Sequence, residues 1–357
     1  MRNFKKIVVV LIGIIVFVGI VMVIMYKSSF KPVSKNSNLI SVEIKEGAGI
    51  SGIASLLKEN KVIRSKTAMI IYSRLNDVGA LQAGKYNLDS SEDMITIINH
   101  IANGDVSSDE INITFIEGKN MRWIAKTIAE KTNNTENDVY SLLEDEDYID
   151  SLIEKYWFLS DEIKDNRIYY PLEGYLLPDT YTFESKDVSV KEIFNVILNY
   201  MEKYLDTVKD DIESSNLTVH QILTFASIAE LEGKSTEDRA EVIGVFYNRL
   251  KQGMSLGSDV TTYYAFKVDM GERDLTVKEI NTENSYNTRG PNMAGKIPVG
   301  PIDNPSKSAI EATINYKETS NLYFVADKTG KVYFTKNYSE HQQLINKLKK
   351  DGLWYTY

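Results

Sequence analysis

The sequence predicts an α+β protein: an N-terminal transmembrane helix, then a βα region, then a mixed α/β region that carries the chemistry. Three observations lead there. Residues 7–25, IVVVLIGIIVFVGIVMVIM, hold no charge. Two later segments repeat one strand–turn–helix pattern at a displacement of 71 residues. Beyond residue 170, helical periodicities alternate with loops rich in Pro and Gly. With 357 residues, 43% hydrophobic and 25% charged, the chain is long enough for two or three domains with real cores, and wholesale disorder is excluded.

The apolar run comes first. At ~1.5 Å per residue it spans about 28 Å, close to the hydrocarbon thickness of a bilayer. Arg2, Lys5 and Lys6 precede it, which favours a cytoplasmic N-terminus. A cleaved signal peptide is the competing reading, but the run is long for an h-region and no A-x-A-like site follows it. We therefore expect residues 1–6 in the cytoplasm, a single-pass anchor in the cell membrane at 7–26, and the bulk of the chain extracytoplasmic. Residues 27–38, ending in FKPVSKNSN, read as a linker.

Charge and composition then exclude several classes. Residues 1–35 hold six basic residues and no acid, leaving 35 basic against 50 acidic residues beyond them, a net of −15. Such a surface repels phosphate, so no nucleic-acid partner is expected. There is no cysteine, which removes disulfides, thiolate metal sites and Cys nucleophiles. His100, His220 and His341 lie too far apart for a local metal motif. Neither a metal nor a cofactor is expected.

The βα region is assigned to residues 39–130. Ser41-Val42-Glu43-Ile44 leads through Glu46-Gly47 to Ile53-Ala54 and Leu57. Ile111 to Phe115 lead through Glu117-Gly118 to Ile124-Ala125 and Ile128. Each is an alternating strand, a Gly turn and an amphipathic helix. Between them lie a strand at 83–88 and a helix from about 91 to 102, stopped at Asn103-Gly104. The pattern resembles the LysM fold, which binds N-acetylglucosamine-containing glycans; a generic strand–turn–helix without ligand is the other reading. Residues 131–170 are acidic and Tyr-rich, an expected helical connector with a solvated face. Pro171 to Tyr181, PLEGYLLPDTY, then reads as an irregular, shaped loop opening a catalytic region at 171–357.

Within that region one carboxylate stands out. Thr218 and Gln221 have capping-box spacing, and the helix they start ends at Gly233. Ser235 and Asp238 start another. Glu230 and Glu232 flank the corner, but residues two apart on a helix face opposite ways. Glu232 sits where the chain can turn into a cleft, and the helix C-terminus disfavours its charge. A raised pKa is what a general acid at neutral pH needs. A solvent-exposed helix-end glutamate is the alternative.

The stretch Phe225-Ala226-Ser227-Ile228-Ala229-Glu230-Leu231-Glu232, followed by Val245-Phe246-Tyr247-Asn248-Arg249-Leu250, resembles the signature of the YceG-like (MltG) endolytic murein transglycosylases. Further matching blocks occur in order: Leu256-x-Ser258-Asp259, Tyr286-Asn287-Thr288, Pro298-x-Gly300-Pro301-Ile302-x-Asn304-Pro305, Leu322-Tyr323-Phe324-Val325 and Glu340-His341. The resemblance implies a lytic enzyme that cleaves the β-1,4 bond between N-acetylmuramic acid and N-acetylglucosamine in peptidoglycan, leaving 1,6-anhydro ends. It implies Glu232 as the catalytic residue. It also implies action on nascent strands near the membrane, beside cell-wall synthases, to end glycan elongation. One carboxyl group suffices if the muramoyl 6-hydroxyl attacks C1 of its own ring. Asp259, Tyr286, Asn287, Thr288 and the turn Gly300-Pro301-Ile302 are expected to shape the glycan cleft. The chain departs from the pattern at Val260, Ser285, Lys296 to Val299, and Val332, which touches substrate preference more than reaction class. Two rival readings are a catalytically inactive wall-binding scaffold of the same fold and an ordinary muramidase.

Overall fold

An apolar helix opens the chain. The computed structural model describes residues 2–76, 78–106 and 110–354, with side chains from Leu11 onward. The expected membrane orientation rests on Arg2, Lys5 and Lys6, whose side chains lie outside that set, as do residue 1 and residues 355–357. Helix α1 is Arg2–Ser28. Its Leu11–Ser28 window has a mean hydropathy of 2.4 and is not buried by the rest of the chain. Among the described residues it is the one helix long and apolar enough to cross a membrane. Length and composition are compatible with an anchor or a signal.

The chain divides into two compact units, Met1–Asp109 and Glu110–Tyr357. The first holds β1 (Leu39–Ile44), α2 (Ile50–Glu59), α3 (Lys66–Leu75), β2 (Gly84–Asp89) and α4 (Met94–Asn103). β1 and β2 pair antiparallel, with Val42 opposite Tyr86. Alternation turns Val42, Ile44, Tyr86 and Leu88 inward, where Ile53, Ala54 and Leu57 of α2 and Ile97, Ile98 and Ile101 of α4 meet them. Asp93 caps α4, and Gly104 ends it in the left-handed conformation (φ +73°) that the Asn103-Gly104 pair predicts.

The second unit begins with β3 (Ile111–Thr114), α5 (Met121–Lys131), α6 (Glu136–Leu143), α7 (Glu146–Lys155) and a 3-10 turn, Asp161–Lys164. Then come β4 (Thr180–Phe183), α8 (Val190–Thr207), α9 (Lys209–Ser214), α10 (Val219–Glu232), α11 (Thr236–Lys251), α12 (Asp259–Ala265) and α13 (Val277–Ile280). The last elements are α14 (Lys307–Ile314), β5 (Tyr323–Ala326), β6 (Val332–Thr335) and α15 (Tyr338–Lys350). The architecture is the expected mix of helices and strands; among the described residues the short strands form three antiparallel two-stranded sheets, β1–β2, β3–β4 and β5–β6.

Two expectations shift. β3 pairs with β4, Ile113 opposite Tyr181, so the second strand–turn–helix repeat belongs to the second compact unit rather than with the first repeat. The acidic stretch 131–170 is more than a solvated face. Val139, Leu143, Tyr148, Ile149 and Leu152 enter the core against Ile193, Phe194 and Ile197 of α8, while the acids face out.

Candidate active site

Helix α10 is buried nearly all round, from His220 to Ala229. Thr218 and Gln221 form the predicted capping box at its start. Gly233 ends it, and a Cβ there would lie 2.8 Å from the Arg239 backbone nitrogen, so the corner into α11 admits no side chain. Ser235 and Asp238 cap α11 reciprocally. This corner fixes both glutamates.

Glu230 is structural. Its Oε1 accepts from Arg239 Nη2 at 2.6 Å, and its Oε2 accepts from the backbone nitrogen and hydroxyl of Ser306 at 3.0 and 2.5 Å. Arg239 in turn donates to the Gly233 carbonyl at 3.0 Å and to Ser308 at 2.6 Å. The carboxylate thus ties α10 to α11 and to the start of α14.

Glu232 points elsewhere. It lines a groove of about 550 Å³ with Arg249, Asp259, Arg289, Tyr323 and His341. The Ser258 hydroxyl donates to Oε1 at 2.6 Å. No second hydrogen bond to this carboxyl group occurs among the described residues, which leaves Oε2 to the groove. Desolvation raises its pKa; the Ser258 bond, Arg289 and Arg249 oppose the rise, and Asp259 adds to it. A carboxyl group that stays protonated above its ordinary range, with one oxygen clamped and one presented, is equipped to donate a proton.

Ser258 is itself held. Its backbone nitrogen donates to Thr288 Oγ1 at 2.9 Å, and its carbonyl accepts from Thr261 Oγ1 at 2.7 Å. Asn287 accepts from Thr262 Oγ1 at 2.7 Å and donates to the Thr282 carbonyl at 2.8 Å. Tyr286 lies wholly inside, its ring 4.8 Å from that of Tyr264. So Tyr286, Asn287 and Thr288 lie beneath the groove and brace it; they do not form its wall. Gly300, Pro301 and Ile302 are also buried. Pro301 fills the space above Gly174, where a Cβ would meet it at 2.4 Å, and Ile302 N donates to Ser227 Oγ at 3.0 Å. Of the residues expected to shape the cleft, Asp259 alone joins Glu232 in this groove. Arg289 donates to Asp259 Oδ2 at 3.2 Å.

Spacing did not assign roles to Arg249, Ser258, Arg289, Tyr323 or His341. All but Arg289 fall inside the ordered motif blocks, which was the available signal. Arg249 donates to the carbonyls of Leu322 and Leu256, both at 2.6 Å, and so joins α11 to β5. His341 Nδ1 is enclosed without a partner among the described residues. Burial, then the Arg249 charge, lowers the His341 pKa.

Comparison with known proteins places this corner in a family. The model of the YceG-like family matches residues 42–347. The chain belongs to the YceG-like family. Among its YceG-like relatives is the endolytic murein transglycosylase of Bacillus subtilis (strain 168), 34% identical over 323 residues, 90% of this chain and 88% of that protein. The endolytic murein transglycosylase of Streptococcus pneumoniae serotype 2 is 32% identical over 334 residues, 89% of this chain and 60% of the longer relative. A crystal structure of a YceG-like protein from Listeria monocytogenes superposes with a TM-score of 0.62 at 32% identity, over 87% of this chain and all of that one.

Proposed function

We propose that this protein is a lytic murein transglycosylase in which Glu232 is the single acid and base. The observation that carries the reading is the Glu232 carboxyl group at the groove wall, with Oε1 held by Ser258 and Oε2 left to a substrate. Protonated, it donates to the glycosidic oxygen that leaves N-acetylmuramic acid. As carboxylate it then takes the proton of the 6-hydroxyl, which attacks C1 of the same ring. The C1–O4 bond breaks, the C1–O6 bond forms, and the proton count on Glu232 is restored. An attacking group already on the ring removes the need for a second carboxyl group.

Mass spectrometry of peptidoglycan incubated with the full chain in detergent tests this. Wild type releases 1,6-anhydro-muramoyl ends, and Glu232→Gln lowers the rate by about 10²–10⁴. Reducing ends carrying an added water would instead identify a muramidase. The segment 39–89 of the first unit, rather than the whole of 39–130, is read as LysM-like wall binding, which the antiparallel β1–β2 ladder with α2 and α3 between its strands supports. On that reading the Glu232→Gln chain still pellets with insoluble wall. The apolar α1 is read as a single-pass anchor, with the remaining chain outside the cytoplasm and acting beside cell-wall synthases on nascent strands. The chain then fractionates with membranes and resists extraction by salt; release by high salt alone would contradict the anchor.

A further inference from the structure

A second pocket adjoins the catalytic groove. It measures about 220 Å³, and its walls include Asn120, which caps α5, Trp123 of α5, Leu231 of α10, Val260 and Tyr263 of α12, and Asp303. Val260 lines both cavities, and Leu231 precedes Glu232. The loop before α5 closes the pocket tightly. Gly118 has φ +69°, and a Cβ on it would lie 3.2 Å from Leu231 Cδ2. Gly118 N donates to the Asn304 carbonyl at 3.0 Å, and Asn304 N donates to the Lys119 carbonyl at 3.1 Å. The pocket is therefore a built feature, pinned by two backbone bonds to Asn304, the residue after Asp303.

Asp303 is the anomaly in it. The residue is 1% exposed, and neither carboxyl oxygen has a hydrogen-bond partner among the described residues. Native proteins rarely leave such a group unpaired, because burial without a partner costs stability. Burial, then the neighbouring carboxyl groups of Glu230 and Glu173, holds the Asp303 pKa well above the ordinary carboxylate range. A neutral acid offers one O–H donor and one carbonyl acceptor. Beside Asn120 and the aromatic side chains of Trp123 and Tyr263, that chemistry suits an uncharged ring bearing hydroxyl and acetamido groups. The volume lies below the ~300–1,000 Å³ of sites for drug-sized ligands, which limits the occupant to a single ring.

We propose that this pocket is a saccharide subsite: it takes one sugar ring of the glycan strand being cut, packed on Trp123 and hydrogen-bonded by Asp303 and Asn120, with the strand crossing Val260 to reach Glu232. The proposal rests on the transglycosylase reading of the groove.

Its test uses the full chain in detergent and a peptidoglycan tetrasaccharide of two GlcNAc–MurNAc repeats. Binding is measured by calorimetry in a Glu232→Gln background, and turnover in the active chain. Trp123→Ala raises Kd by about tenfold, with the loss in turnover falling in KM rather than kcat, and Trp123→Phe recovers most of the binding. Asp303→Leu weakens binding to a similar extent while its unfolding temperature holds or rises, since an unpaired buried acid has been removed. A merely structural Asp303 would give the opposite pattern, lower stability with unchanged Kd. Unchanged Kd and KM in Trp123→Ala overturn the subsite. If the wild-type chain yields no cleavage, the transglycosylase reading falls by itself, and the Kd series still judges the pocket.

Discussion

At the scale of single residues, Ser258 has more consequence than its size suggests. It donates to Glu232 and is itself locked by Thr261 and Thr288. The bond opposes the desolvation that raises the Glu232 pKa. Ser258→Ala therefore raises that pKa further. On the proposed mechanism Glu232 must be protonated to act, so the alkaline limb of the kcat/KM profile moves to higher pH, while kcat falls roughly ten- to hundredfold as the carboxyl group loses its orientation. A limb that stays in place or moves down would contradict the role given to Ser258. That Glu230 and Glu232 cannot share a face was legible in the sequence, because helix geometry separates residues two apart; the choice of Glu232 rested on the Gly233 corner and the family resemblance. That Tyr286, Asn287 and Thr288 brace the groove from below was not. A motif marks a residue as needed without saying which side of a wall it occupies. Val260, a departure from the family pattern, lines both the groove and the neighbouring pocket, where a changed side chain alters contact with a strand rather than the acid.

At the scale of elements, the site depends on how three helices are clamped. Glu230 and Arg239 pair at 2.6 Å, with side chains only 6% and 11% exposed, and Ser306 closes the arrangement on α14. Arg239→Ala leaves Glu230 buried without its counter-charge. We expect a loss of about 3–5 kcal/mol in denaturant unfolding. A loss under about 1 kcal/mol would mean the pair acts as an exposed surface bridge. Local signals served well for these elements. Capping boxes at Thr218 and Ser235, the Gly233 corner and the Asn103-Gly104 stop all sit in the sequence within a few residues of the structure they specify. Strand partners were not legible. β3 meets β4 across the whole of α5 to α7, and nothing near Ile111 names Tyr181 as its neighbour. The repeat at 71 residues correctly placed Ile53, Ala54, Ile124 and Ala125 in cores, but it hid the fact that the two copies serve different units.

At the scale of the whole molecule, buried carboxyl groups set the response to pH. Glu173 is 1% exposed. It accepts from Met121 N at 2.9 and 3.0 Å, from Tyr264 Oη at 2.9 Å and from Asn304 Nδ2 at 3.1 Å. Desolvation outweighs these donors and pushes its pKa from 4.5 up to about 7. A carboxyl group whose folded pKa lies above its unfolded value contributes stability that is fully present below pH 4.5. That contribution is lost as pH rises through about 7, a difference on the order of 3 kcal/mol. Unfolding temperatures measured from pH 4 to 8 should show this decline in wild type and a flatter profile in Glu173→Gln. Equal slopes would remove Glu173 as the source.

The lining of the groove carries a further implication. Tyr323 and Phe324 of β5, Tyr338 and His341 of α15, and Trp354 line it together with Glu232. In order of synthesis they come some ninety to one hundred and twenty residues later. A nascent chain that has already folded its acid-bearing helix is therefore still half a scissor. On the proposed function, the residues from Tyr323 to Trp354 are the last part of the groove to be made, so a chain cut short before β5 keeps its acid and lacks those lining side chains.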